Sequence, residues 1–209
     1  MRIGITQRVD VDPITGEKRD ALDQNWFKLL NFVNLNNIIQ IPNKHPDINL
    51  WLNEMKFDGF ILTGGNDLTS VINPKNNSIE RDKTEDIILK FAEIRKQPVL
   101  GICRGLQMIN HFFGGQLVPL KNHINVIHSI KFKCSDDFII KRSVNSFHAW
   151  GINNHSLAQD LIPIAWDLEN NIEAFKHKRM DWCGLMWHPE RMEKFEVQDI
   201  EIFTNLFKK

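Results

Sequence analysis

The stretch Pro98-Val99-Leu100-Gly101-Ile102-Cys103-Arg104-Gly105-Leu106-Gln107 constrains the fold of this chain more than any other. An apolar run behind Pro98 reads as a buried strand. Leu106, Met108, Ile109, Phe112 and Phe113 then follow with helical spacing. Gly-x-Cys-x-Gly between a strand and a helix is the thiol counterpart of the Gly-x-Ser-x-Gly nucleophile elbow. Such a turn holds its central side chain, here Cys103, at the carboxyl end of the strand in a strained conformation. The flanking glycines let strand and helix approach closely, and the helix N-terminus favours thiolate over thiol. A structural cysteine buried in an ordinary strand–helix turn is the alternative.

The rest of the chain supplies a setting for such a turn. Strands are expected at residues 3–9, 38–41, 57–63 and 98–102, and helices at 20–35, 48–55, 82–96 and after Cys103. Residues 11–19 read as a turn-rich loop and 73–77 as a polar one. This alternation predicts a three-layer α/β/α domain with a mostly parallel, flavodoxin-like central sheet. After Gly114-Gly115, short strands at 127–134, 138–145, 162–166 and 172–177 predict a small antiparallel addition. A further strand at 183–187 leads to His188-Pro189-Glu190, and a helix at 197–207 closes the chain. Residues 1–209 are expected to form a single domain.

Composition narrows the function. Apolar residues make up 42% and charged residues 25% of the 209, as in a globular protein. Lys and Arg together number 26, as do Asp and Glu, so nothing favours a nucleic-acid or membrane partner. Cys103, Cys134 and Cys183 are too few for a disulfide framework, and a reducing cytoplasm is expected. Cys134 and Cys183 sit in apolar strand patterns and read as core. The first residues read as a strand and not as a signal peptide.

A thiol nucleophile needs a base, and the base needs an orienting acceptor. His188 follows an apolar strand directly, so it falls at the sheet edge that carries Cys103, where ligands bind in parallel sheets. Glu190 is placed to turn its carboxylate onto that imidazole. An oxyanion hole needs two backbone N–H donors. Arg104 supplies one, and Gly65, with Gly64 as the near alternative, supplies the other. Gln107 is either bonded within the fold or placed to hold a substrate. Trp150 is either core or a wall for the leaving group. His148 lacks a neighbouring acid in the sequence, so it reads as a residue that binds substrate or orients its loop. His123 and His128 have no cysteine or carboxylate partners at metal-like spacing, so no metal and no cofactor are expected.

Taken together, Leu62-Thr63-Gly64-Gly65, Gly101 to Gln107 and His188-Pro189-Glu190 resemble the class I glutamine amidotransferase fold, in that superfamily's order and across most of the chain. The resemblance implies a Cys103–His188–Glu190 triad and a γ-glutamyl thioester. Cys-Arg-Gly-x-Gln, Arg81-Asp82-x-x-Glu85 and Val144-Asn145-Ser146-Phe147-His148 are similar to the peptidase C26 group, typified by γ-glutamyl-γ-aminobutyrate hydrolases. In synthetase-linked amidotransferases, Leu or Tyr more often follows the cysteine. The resemblance places Asn145, Ser146 and His148 near the substrate cleft. The chain continues Ala149-Trp150 where the group usually has His-Gln, which leaves the leaving amine open. The expected partner is a small γ-glutamyl conjugate. A glutaminase component serving a separate synthetase is the rival reading, and the oligomeric state stays open, a homodimer included.

Overall fold

The computed structural model describes residues 1–135 and 138–207. Its first part runs β1 (Ile3–Ile5), β2 (Arg8–Val11), β3 (Lys18–Ala21), α1 (Asn25–Phe32), β4 (Ile38–Gln40), α2 (Ile48–Met55) and β5 (Gly59–Leu62). Next come α3 (Ile79–Arg95), β6 (Val99–Ile102), α4 (Arg104–Phe112), the short β7 (Val118–Pro119) and the long hairpin β8 (Ile124–Ser135) and β9 (Phe138–Phe147). The chain ends with β10 (Trp150–Gly151), β11 (Leu161–Trp166), β12 (Ile172–His177), β13 (Trp182–Leu185), a 3₁₀ turn at Pro189–Arg191 and α5 (Val197–Phe207). No helix among the described residues is long and apolar enough to cross a membrane.

Nine strands form one sheet in the order β4-β1-β5-β6-β13-β12-β11-β8-β9. Pairing is parallel from β4 to β13. It is antiparallel from β13 to β9. The antiparallel addition therefore continues the main sheet. Strand alternation divides the apolar side chains between two cores. Ile61 faces the core shared with Trp26, Leu29 and Leu30 of α1 and Phe203 and Phe207 of α5. Phe60 and Leu62 face the other core, with Leu52 of α2, Ile88 and Leu89 of α3 and Leu106 and Ile109 of α4. Helices thus cover both faces of the parallel half, and the loops at its carboxyl edge are left to build a site.

The structure differs from the sequence expectations in local ways that have physical causes. The first strand stops at Ile5; the Thr6 amide still donates to Ile61 O at 2.9 Å, and its hydroxyl donates to Glu85, 2.8 Å away. The chain then forms the β2–β3 hairpin where a loop was expected. Asp12 caps its turn by accepting from the Ile14 and Thr15 amides. That pairing takes residues 18–21 out of the expected helix, which begins only at Asn25. The helix expected from 82 begins at Ile79, because the Ser78 hydroxyl caps it by accepting from Arg81 N at 3.2 Å. Cys183 is core, as expected, and burial pushes its thiol up to about 12. Cys134 is exposed instead. It lies two residues beyond the buried Phe132, where the register shifts between Lys133 and Ser135.

Candidate active site

Cys103 stands between β6 and α4 with φ +51° and ψ −104°, a strained conformation for a residue with a Cβ. Two glycines allow it. A Cβ on Gly101 would sit 2.5 Å from the Gly105 backbone, and one on Gly105 would sit 2.1 Å from Leu62 O. Strand and helix can therefore approach only without side chains at those positions. The Cys103 amide donates to Leu185 O at 2.7 Å, which ties the elbow to β13. Helix α4 begins at Arg104, whose amide is among the first N–H groups of the helix, those without an intrahelical partner.

His188 follows β13 on the neighbouring strand. Its Nδ1 lies 2.6 Å from Glu190 Oε1, and both side chains are buried. Cys103 lies close enough to the imidazole for its charge to act on it. Burial disfavours the imidazolium, but the Cys103 and Glu190 charges outweigh it and raise His188 to about 9. Asn145 clasps the backbone of this residue from β9. Its Oδ1 accepts from His188 N at 2.8 Å, and its Nδ2 donates to His188 O at 2.8 Å.

The Gly64-Gly65 loop faces the same point. A Cβ on Gly64 would sit 2.6 Å from His188 Cε1 and 3.5 Å from Cys103 Cβ, and Gly65 has φ +84°. Arg81, fully buried on α3, holds this loop. Its guanidinium donates to Thr63 O (2.6 Å), Gly64 O (3.0 Å) and Gly65 O (2.9 Å), and its Nε to Glu85 Oε1 (3.0 Å). The Arg104 guanidinium is bonded within the fold, to Glu85 and Asp82. Burial opposes the Glu85 charge, yet Arg104 and Arg81 hold its pKa below the usual range. Arg81 was visible in the sequence only as part of a resemblance. Its role follows from carbonyls 16 to 18 residues away.

A cleft of about 430 Å³ opens over Cys103. Gly65, Gln107, His148 and Trp150 line it, together with Lys75 and Phe147. Gln107 donates to Trp150 O at 2.9 Å, so it braces the wall as well as bordering the cleft. Two residues expected as substrate contacts lie elsewhere. Ser146 is completely buried and donates to His123 O at 2.6 Å. Alternation along β9 sets it on the opposite face from Phe147, which borders the cleft. Asn145 shares the face of Phe147, but it turns both ends of its amide to His188.

Chain spacing also concealed the partners of His123 and His128. The fold brings Asp167 and Glu173 to them, and one donor atom from each of the four lies within 4.8 Å of the others. His148, for which the sequence offered no acid, has its Nε2 3.8 Å from Glu173 Oε1. Burial lowers His148 to about 3 and raises Glu173 well above the carboxylate range.

Comparison with known proteins identifies the family and the fold. The peptidase C26 family profile matches residues 3–190. The γ-glutamyl-CDP-amidate hydrolase of Campylobacter jejuni is 39% identical over 192 residues, 91% of this chain and 90% of that protein. A glutamine-hydrolysing GMP synthase component of Methanococcus vannielii is 30% identical over 78% of this chain and 72% of its own. Among solved structures, a GMP synthase component from Thermoplasma acidophilum superposes with a TM-score of 0.70 at 22% identity, over 99% of this chain and 92% of its own. A glutamine amidotransferase from Thermotoga maritima gives 0.66 at 16%, over 99% and 82%. The chain therefore belongs to the peptidase C26 family and is a hydrolase on the glutamine amidotransferase fold.

Proposed function

We propose that this protein is a cysteine hydrolase that cleaves the γ-glutamyl amide bond of a nucleotide-linked conjugate, of the γ-glutamyl-CDP-amidate kind, and releases glutamate. The observation that carries the reading is the convergence of three side chains: Cys103 opens to the cleft, and His188, paired with Glu190, stands beside it at the Gly64 loop. The substrate class comes from the Campylobacter relative. The cleft suits it: its volume lies within the ~300–1,000 Å³ of small-molecule sites, with room beyond a glutamyl group. Trp150 and Phe147 offer flat faces for a base, and Lys75 offers charge for phosphate.

In this mechanism Cys103 reacts as a thiolate whose proton rests on His188, which the raised pKa of that imidazole supports. Sγ attacks the γ-carbonyl carbon. The Gly65 and Arg104 amides stabilise the oxyanion that develops. The C–N bond breaks as His188 gives its proton to the leaving nitrogen, and a γ-glutamyl thioester remains. His188 then takes a proton from water, which attacks the thioester, releases glutamate and restores the Cys103 thiolate beside the protonated imidazole. Glu190 holds the imidazole in orientation and balances its charge.

A screen of nucleotide-linked, amino-acid and polyamine-derived γ-glutamyl conjugates, read as glutamate release, tests the proposal. Preference for the nucleotide-linked substrate is expected, with a thioester visible by intact mass. Retention of the wild-type rate by Cys103→Ala refutes the mechanism. Glutamine hydrolysis that depends on an added synthetase favours the ammonia-delivering reading, for which the Methanococcus relative is the precedent.

A further inference from the structure

We infer that His123, His128, Asp167 and Glu173 form a buried site for a divalent transition-metal ion of the zinc type, set in the antiparallel half of the sheet beside the cleft. The hydrogen bonding around the four residues leads to this. His123 Nδ1 lies 2.7 Å from Lys121 O, so its proton sits on that nitrogen. Nε2 then presents a lone pair, and it faces Asp167 Oδ2 at 3.1 Å. That oxygen is an acceptor too, already bonded by Asn171 Nδ2 at 2.8 Å. In the neutral ring these are two acceptors, which at this distance need a metal ion, or a second proton on the imidazole, between them.

The same mismatch recurs one strand away. His128 Nε2 faces Glu173 Oε2 at 3.7 Å. His148 donates from Nδ1 to Trp150 O at 3.0 Å, and its Nε2 faces Glu173 Oε1 at 3.8 Å. Among the described residues, His128 Nε2, His148 Nε2 and both Glu173 oxygens have no hydrogen-bond partner, and the Glu173 side chain is only 1% exposed. Separations of 3.7 and 3.8 Å exceed a hydrogen bond. The 3.7 Å separation, between two of the four proposed ligands, is close to the ~3.4 Å edge of a tetrahedron of ligands around an ion with bonds of ~2.1 Å; the four donor atoms lie within 4.8 Å of one another, so binding would draw them inward.

The surroundings match a metal centre. His123 is oriented by a backbone carbonyl through its remote nitrogen, as metal-bound imidazoles are. Asp167 is fixed through Oδ1 by the Glu169 and Asn171 amides at 2.9 and 2.7 Å. Two imidazoles and two carboxylates favour zinc or its first-row neighbours over magnesium or calcium, which take all-oxygen sets. Four protein donors close the tetrahedron, so the ion is structural. It would hold β8, β12 and the β11–β12 turn together. It would also set Glu173 against His148, which borders the cleft.

The test is independent of the proposed reaction, because it measures binding and not turnover. Tag-free protein carrying Cys103→Ala, which removes the competing thiol, is stripped with a chelator. It is then titrated with Zn²⁺ and with Co²⁺. One equivalent of each is expected. Bound Co²⁺ should show the intense visible bands of tetrahedral coordination without sulfur-to-metal charge transfer. Glu173→Gln and His128→Ala should each lower affinity by about 100-fold or more. His128 is partly exposed, so its variant keeps the test open if Glu173→Gln fails to fold. Absence of stoichiometric binding, or equal binding by a folded His128→Ala variant, overturns the site and leaves protons as what joins these acceptors.

Discussion

Replacing Asn145 by Ala removes both hydrogen bonds that clasp the His188 backbone, each 2.8 Å long. The His188 N–H, on a buried residue, loses its acceptor, whereas His188 O still accepts from Arg191 N at 3.1 Å. An unmet buried polar group costs about 1–3 kcal/mol and the lost bond to the carbonyl about 0.5–1.5 kcal/mol, so the total is about 2–4 kcal/mol. Part of this cost appears as lost stability and part as displacement of the imidazole from Cys103. If half is felt at the imidazole, kcat falls about tenfold, since about 1.4 kcal/mol is a factor of ten. Asn145→Asp is the sharper variant. It keeps Oδ1 for His188 N but sets a second oxygen against His188 O, so acceptor faces acceptor. Steady-state kinetics on protein shown to be folded, together with a urea melt, provide the readout. A fall in kcat at unchanged KM, larger for Asp than for Ala, is expected of a residue that positions the base. A rise in KM at unchanged kcat in either variant refutes the argument and returns Asn145 to the substrate.

Glu190→Gln should lower the alkaline limb of the pH–kcat/KM profile. Glu190 helps raise His188 from 6.5 to about 9, and its removal lets the imidazolium deprotonate at lower pH. An unmoved limb refutes the pairing. The sign for stability follows from the same shift. The His188 contribution is complete below pH 6.5 and is lost as pH rises through about 9, which urea melts across that range would reveal. Gly64→Ala should abolish turnover in a folded protein, because its Cβ would lie 2.6 Å from His188 Cε1; wild-type kcat would show that the ring can move away without loss. Arg81→Met should cost about 3–5 kcal/mol in denaturant melts, the usual cost of breaking a buried ion pair. It should also lower kcat, because three carbonyls of the glycine loop lose their donor. A loss below about 1 kcal/mol would mean that the loop holds itself.

Local chemistry made part of this site legible in the sequence. Cys103 is announced by glycines on both sides, because an elbow needs them within two residues. Glu190 can reach His188 because they lie two residues apart. The sheet and its two helical layers follow from apolar spacing, which is also local. Groups whose partners are far along the chain could not be read in this way. Glu173 on β12 meets His128 on β8 and His148, just after β9, because β12, β11, β8 and β9 lie side by side. His123 finds Asp167 across 44 residues. Asn145 and Ser146 belong to a segment that resembles substrate-facing residues. Strand alternation, however, sends Ser146 to the face away from Phe147, and the His188 backbone engages the whole amide of Asn145. Arg104 follows the nucleophile in sequence, yet its guanidinium is held by Asp82 and Glu85, behind the elbow.

The division of the sheet separates two demands on the protein. Every group proposed to make or break a bond stands at the carboxyl edge of the parallel half, on the loops after β5, β6 and β13. The glycine loop after β5 and the elbow after β6 are stiffened from behind by one neutral cluster, in which Arg81 and Arg104 balance Glu85 and Asp82. A change of charge anywhere in that cluster would be felt at both the elbow and the glycine loop, so the cluster resists variation. His148 and Trp150, by contrast, belong to the antiparallel half and its short β7–β10 ladder. Their positions depend on Gln107 and on the His123–Glu173 group, neither of which touches the ion cluster in any described contact. The cleft wall can therefore be rebuilt for a different leaving group while the thiol and its base stay in place. By the same argument, substitutions at Trp150 should change which conjugate is preferred without changing the pH dependence that His188 imposes.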